Sequence, residues 1–299
     1  MKKKIFLTFN PFIMTIRKII KTTALILVSL IVVTLAVIYS WSTIILNKTY
    51  DVPLTAVSIP HDTASIKEGG RLAHIAHCGD CHGDHLTGAI FPDVDPKIAT
   101  MIAPNLTHVI PTYSNEEIER LLRYGVKKNG HSIYIMPAFM YHELKEESVS
   151  KIIAYLRTLK PEPNSPGLPS KSSYTLLGRL QLIQGKVTPI ASMIKPNTEG
   201  EYVHCDTTQV SFGRYLAIST CTACHGPDLK GFEGFSQNLI IATTYKKEDF
   251  FKLIRTGVAL GGRKNIGLMS DVTKNYLSYL NDHEIECIYA YLQTKPTNQ

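Results

Sequence analysis

The chain has 299 residues, 44% of them apolar and 19% charged, which is room for two modest domains. Its formal net charge is +7, but Lys2, Lys3, Lys4, Arg17, Lys18 and Lys21 supply six of those charges, and residues 1–46 contain no acidic residue. The rest therefore carries only +1, and that near-neutral balance excludes a nucleic-acid-binding role.

Residues 1–21 form a basic N-terminal segment, expected in the cytoplasm. From Thr22 to Leu46 the chain has no charge, and "ALILVSLIVVTLAVIY" at its centre is long enough to cross a bilayer as a helix. Basic residues on its N-terminal side place everything after residue 48 across the membrane, at the outer face of a bacterial inner membrane. A cleaved signal peptide is the rival reading. Its apolar core would be about 7–15 residues, shorter than this one, and Ser40 and Ser42 make a poor cleavage site.

After the tether "NKTYDVPLT", a first folded segment spans 55–160. It holds "HCGDCHGDHLTG" (77–88), "APNLT" (103–107), "NEEIERLLRYG" (115–125) and "YIMPAF" (134–139), and closes on "VSKIIAYLRTL". The third of these predicts a helix with Asn115 as cap and an acidic first turn. A proline-rich linker covers 161–204; within it "TLLGRLQLI" is either a short helix or extended chain on a domain surface. A second segment, 205–299, repeats the first. "TCTACHGPDLKG" (220–231) echoes 77–88, "LIRTGV" answers "LLRYGV", and both halves end with Ala-Tyr-Leu in a helical stretch.

Cys78 and Cys81, followed by His82, recur as Cys221, Cys224 and His225. Cysteines three apart share one helix face, so both can bond one planar group while the next histidine addresses its centre. That is the c-type haem attachment signature, two thioether links plus an axial imidazole. Zinc also takes paired cysteines but does not account for a histidine after both pairs. A thioredoxin-like redox pair would need a strand–helix setting that the helical periodicity does not provide.

On these motifs both halves resemble class I cytochrome c domains. The resemblance implies an all-α fold, two tandem domains of that family behind one N-terminal transmembrane helix, holding two covalently bound haem c groups. In that family a glycine on the first helix crosses an aromatic on the last; here Gly70 would meet Tyr155, and Gly213 would meet Tyr291. A carrier of this kind needs a sixth iron ligand, and methionine raises the potential. Met269 is the one methionine after Cys224. In the first half the family's Met-Pro pattern favours Met136, with Met140 as alternative; ligation by His108, His131 or His142 remains open. The expected iron ligands are thus His82, Met136, His225 and Met269.

The likeness also implies that a carbonyl near Pro104 accepts the His82 N–H, and it leaves the matching contact near Asn238 without support, because "SQNLI" lacks the proline. Arg123 and Arg255 are read as solvated helix residues, with haem propionates as the other possibility. By the same likeness Cys205 precedes the first helix of the second half and Cys287 lies on the last, which packs against it, so the two form a structural disulfide or remain separate buried thiols. The motif set is similar to cytochrome subunits of bacterial alcohol and gluconate dehydrogenases, which carry three such motifs where this chain has two. It implies electron transfer with a membrane-associated dehydrogenase and other redox proteins, and no catalytic residue in this chain. A dihaem subunit of a terminal oxidase, a haem peroxidase-like enzyme and a haem sensor are the alternatives.

Overall fold

A computed structural model of the protein describes residues 11–83, 85–92, 94–195 and 209–295. Its first element, α1 (Pro11–Leu46), contains an 18-residue apolar stretch of mean hydropathy 2.5, and from Ile16 onward it is exposed almost throughout. Ser42 at its C-terminal end is the exception, fully buried.

Two helical units follow, each built on a crossed pair of helices. In the first, α2 (Thr63–Ile75) and α3 (Cys78–His82) lead into the short strands β1 (Ala89–Ile90), β2 (Ala99–Thr100) and β3 (Ile102–Ala103), then α4 (Leu106–Val109), α5 (Asn115–Tyr124), α6 (Ala138–His142) and α7 (Glu146–Arg157). β1 pairs antiparallel with β3. The connector 161–195 is not merely extended. It contributes β4 (Ser173–Tyr174), which pairs with β2, and α8 (Leu176–Ile183). "TLLGRLQLI" is thus a helix, capped by the Thr175 side chain. It packs against the end of α1 through Arg179, whose Nη1 donates to Ser42 Oγ at 2.8 Å and whose guanidinium covers the Tyr39 ring.

The second unit contains α9 (Gln209–His225), α10 (Lys247–Thr256), α11 (Leu268–Asn275) and α12 (Asp282–Gln293). In each unit the first and last long helices cross at a glycine. A β-carbon on Gly213 would stand 1.8 Å from the Cys287 carbonyl oxygen, and one on Gly69 would stand 1.8 Å from the Lys151 oxygen. The crossing residue of the first unit is therefore Gly69, not Gly70, which faces the Tyr155 ring edge at 3.2 Å. The one-residue offset comes from position 77. There α2 has ended and His77 takes a left-handed conformation (φ 58°) before α3, whereas α9 runs through its motif unbroken.

Other expectations need similar correction. The helix-capping residue of α5 is Ser114, in a capping box with Glu117, and Asn115 is its first residue. Arg123 is buried and Arg255 half-buried, so neither is a freely solvated helix residue. Each ties down the loop before the last helix: Arg123 donates to the carbonyls of His142 and Leu144 and pairs with Glu119, and Arg255 donates to those of Ser278 and Leu280. Cys205, assigned to Cys287, lies outside the described residues. One apolar core runs through both units, from Ile75, Tyr141 and Ile153 to Tyr215, Ile285 and Leu292.

Candidate functional site

Each cysteine pair sits at the end of a helix whose next residue-turn is locked in the same way. After His82 the chain turns through Gly83 (φ 77°), Leu86 (φ 57°) and Gly88 (φ 91°); after His225 it turns through Gly226 (φ 76°), Leu229 (φ 61°) and Gly231 (φ 80°). Gly88 N–H donates back to the His82 carbonyl at 2.9 Å, and Gly231 N–H to that of His225 at 2.8 Å. Leu86 and Leu229 then accept from the N–H groups of Leu106 and Leu239. This brings the returning chain alongside each histidine.

His82 Nδ1 lies 2.7 Å from the Pro104 carbonyl oxygen, and His225 Nδ1 lies 2.7 Å from that of Gln237. A carbonyl only accepts, so Nδ1 carries the hydrogen in both rings and Nε2 keeps its lone pair. A buried imidazole oriented this way suits metal ligation. Burial lowers the pKa of both histidines, with the carbonyl contact opposing it. The contact in the second half forms without a proline, because the acceptor is main chain and the residue type is immaterial.

Cys221, Cys224, His225 and Met269 line one cavity of about 410 Å³, whose other walls include Phe250, Leu277 and Ile288. Met269 is the second residue of α11, and Gly267 (φ 67°) supplies the turn that starts this helix. In the first half His82 is buried, and Cys78 and Met136 pack against the common core. Cys78 also faces a cavity of about 440 Å³ at the seam between the units, with Tyr155 on one side and Tyr276 and Tyr279 on the other; His82 and Met136 do not line it. Met140 is fully buried in α6, and His142 is buried with its ring edge-on to Tyr124. His108 is exposed at the end of α4, and His131 bridges to Thr49 in the segment after α1.

The cysteines lack the chemistry of a redox pair. Burial pushes the Cys78 thiol up to about 12 and that of Cys221 to about 11, whereas a reactive thiol needs a depressed value. Cys221 and Cys224 also sit in the last turn of α9, the negative end of its dipole, which disfavours a thiolate. Among the described residues no three His, Cys, Asp or Glu side chains converge as a metal cage. In the second unit the arrangement instead fits a flat apolar group held at one edge by two sulfurs: an oriented imidazole beside a largely apolar cavity, with a thioether in its wall.

Comparison with known proteins agrees with this chemistry. The family model of cytochrome c matches residues 66–160. Over most of its length the chain is similar to the fructose dehydrogenase cytochrome subunit of Gluconobacter japonicus, at 29% identity over 78% of this chain and 53% of the relative. It is also similar to the gluconate 2-dehydrogenase cytochrome c subunit of Pantoea cypripedii (25%, covering 77% and 59%). A third relative is the cytochrome c subunit of the quinone alcohol dehydrogenase of Gluconacetobacter polyoxogenes (22%, covering 79% and 57%). The chain spans little more than half the length of these relatives. Residues 66–160 thus match the family model of cytochrome c, in a chain similar to cytochrome c subunits of fructose, gluconate and alcohol dehydrogenases.

Proposed function

We propose that the protein is a membrane-anchored electron carrier with two covalently bound haem c groups, one in each helical unit. Cys78 and Cys81 hold the first and Cys221 and Cys224 the second; His82 and His225 are the proximal ligands, and Met136 and Met269 the distal ones. When bound, each haem supplies a one-electron iron couple whose potential is set by axial ligands, burial and nearby hydrogen bonds. The observation that carries this reading is the repeated histidine orientation, with Nδ1 donating to a main-chain carbonyl at 2.7 Å in both halves. That contact fixes each ring and leaves Nε2 for iron.

The donor is a dehydrogenase at the same membrane, as the relatives' names suggest, and electrons leave to other redox proteins. A terminal oxidase as partner has no comparable support. Residues 22–46 span the inner membrane and both units lie on its outer face. Retention of α1, rather than its cleavage, is supported by its attachment. Ser42 is fully buried under Arg179, Tyr134 Oη donates to the Ile45 carbonyl, and Thr49 pairs with His131. Cleavage after Ser42 would remove the Tyr39 and Ser42 contacts of Arg179, whereas those of Ile45 and Thr49 lie beyond the cut.

The test is covalent haem content after denaturation. The native chain is expected to retain two haems, and C78A/C81A and C221A/C224A one each. Two haems retained by either variant would refute the assignment. Purification from native membranes in mild detergent then identifies the partner; oxidase subunits in place of a dehydrogenase would overturn that part.

A further inference from the structure

The two attachment segments differ by one residue, and its placement has a consequence for the other half. Nine positions separate Gly69 from Cys78, while eight separate Gly213 from Cys221. The additional position is absorbed by the break at His77, whose left-handed backbone is unfavourable for a residue bearing a β-carbon, by about 1–2 kcal/mol. The break turns the His77 ring out of its own unit and into the wall of the 410 Å³ cavity that holds Cys221, Cys224, His225 and Met269.

The ring is fixed there from two sides. Its Nδ1–H donates to Asp80 Oδ2 at 2.9 Å, and the ring packs at a 44° tilt against Tyr276 of the second unit, with centroids 4.8 Å apart. Only 12% of the side chain is exposed. The seam around it is also held. Arg71 on α2 makes two bonds to the Glu284 carboxylate on α12, at 2.8 and 2.9 Å, and His74 stacks on Tyr279 at 4.4 Å. A polar ring from one unit is thus held in the boundary of the other unit's cofactor cavity, one residue before Cys78.

We propose that His77 is a positioning residue of the second cofactor site, supplied by the first unit's attachment segment, which closes that cavity and keeps its wall polar. The potential of the second haem then depends on the first unit. This rests on the two-haem reading above.

The experiment uses full-length variants that each retain one haem. In C78A/C81A, which keeps the second haem, H77L is expected to raise the redox midpoint, because an apolar wall disfavours the more highly charged ferric form. H77Q, which keeps a polar side chain, should return it towards the parent value. In C221A/C224A, which keeps the first haem, H77L should leave the midpoint in place. Y276L, which removes the opposite support of the ring, provides a second variant should H77L not fold, and it should move the second haem by more than the first. No shift of the second haem, or an equal shift of both, would overturn the proposal. Failure of the two-haem reading is read separately, as a native chain holding fewer than two covalent haems.

Discussion

Replacing Gly69 by alanine tests the packing on which both units are built. The new β-carbon would lie 1.8 Å from the Lys151 carbonyl oxygen and 2.5 Å from its carbon. A close carbon–oxygen contact is about 3.3 Å, so α2 and α7 must separate by roughly 1.5 Å. Overpacking of that kind costs about 3 kcal/mol, since the obstacle is backbone and cannot swing aside. Alanine returns about 1 kcal/mol in helix propensity, leaving a net loss of about 2 kcal/mol. For a folded region of this size that lowers Tm by roughly 4–8 °C. Gly70→Ala meets only the Tyr155 ring, at 3.2 Å, where a side-chain adjustment suffices. Its propensity gain then offsets the crowding, and Tm should stay within roughly 2 °C. Circular dichroism melts at equal haem loading compare the two variants. If G70A proved the more damaging, or G69A left Tm unchanged, the crossing assigned to Gly69 would be wrong.

Arg123→Gln leaves the buried Glu119 carboxylate without its cation and two loop carbonyls without a donor, and urea unfolding should show a loss of about 3–5 kcal/mol. Arg255→Gln should cost less, about 1.5–3 kcal/mol, because its carboxylate partner Asp282 is solvated; the opposite ranking would refute this account. The Arg71 guanidinium beside Glu68 holds that carboxyl below the usual glutamate range. Its contribution is complete above the ordinary glutamate pKa and disappears as pH falls through the depressed value, so Glu68→Gln should flatten the acid limb of a Tm-against-pH curve below about pH 4. An unchanged acid limb would remove Glu68 from the explanation. Met136→Ala should lower one redox midpoint, whereas Met140→Ala should cost about 2–5 kcal/mol of stability with both midpoints retained. Spectroscopic redox titration separates them, and a midpoint that falls with Met140 instead would exchange their roles.

The attachment motifs were legible because covalent attachment requires contiguous residues, and contiguity survives in a sequence. The histidine contact at Gln237 was not, since a main-chain acceptor leaves no trace in residue type. The resemblance pointed to Gly70 as the crossing, because the extra backbone position absorbed at His77 shifts the helix face without altering the motif. Arg123 and Arg255 resembled solvated helix residues for a related reason. The carbonyls they satisfy lie about twenty residues downstream, beyond the reach of local periodicity. α8 was equally undecidable, because its packing partners, Ser42 and Ile98, are distant in the chain.

The apolar core shared by the two units bears on how such a chain can change over evolutionary time. A duplicated module ordinarily remains portable, free to be lost, copied again or fused elsewhere. Here Tyr215 of the second unit is buried and its hydroxyl accepts from the Lys145 N–H of the first, while Arg71 and Glu284 join the opposite side. Excising either repeat would expose an apolar face and strand a charge, so the copies have become one inheritable unit.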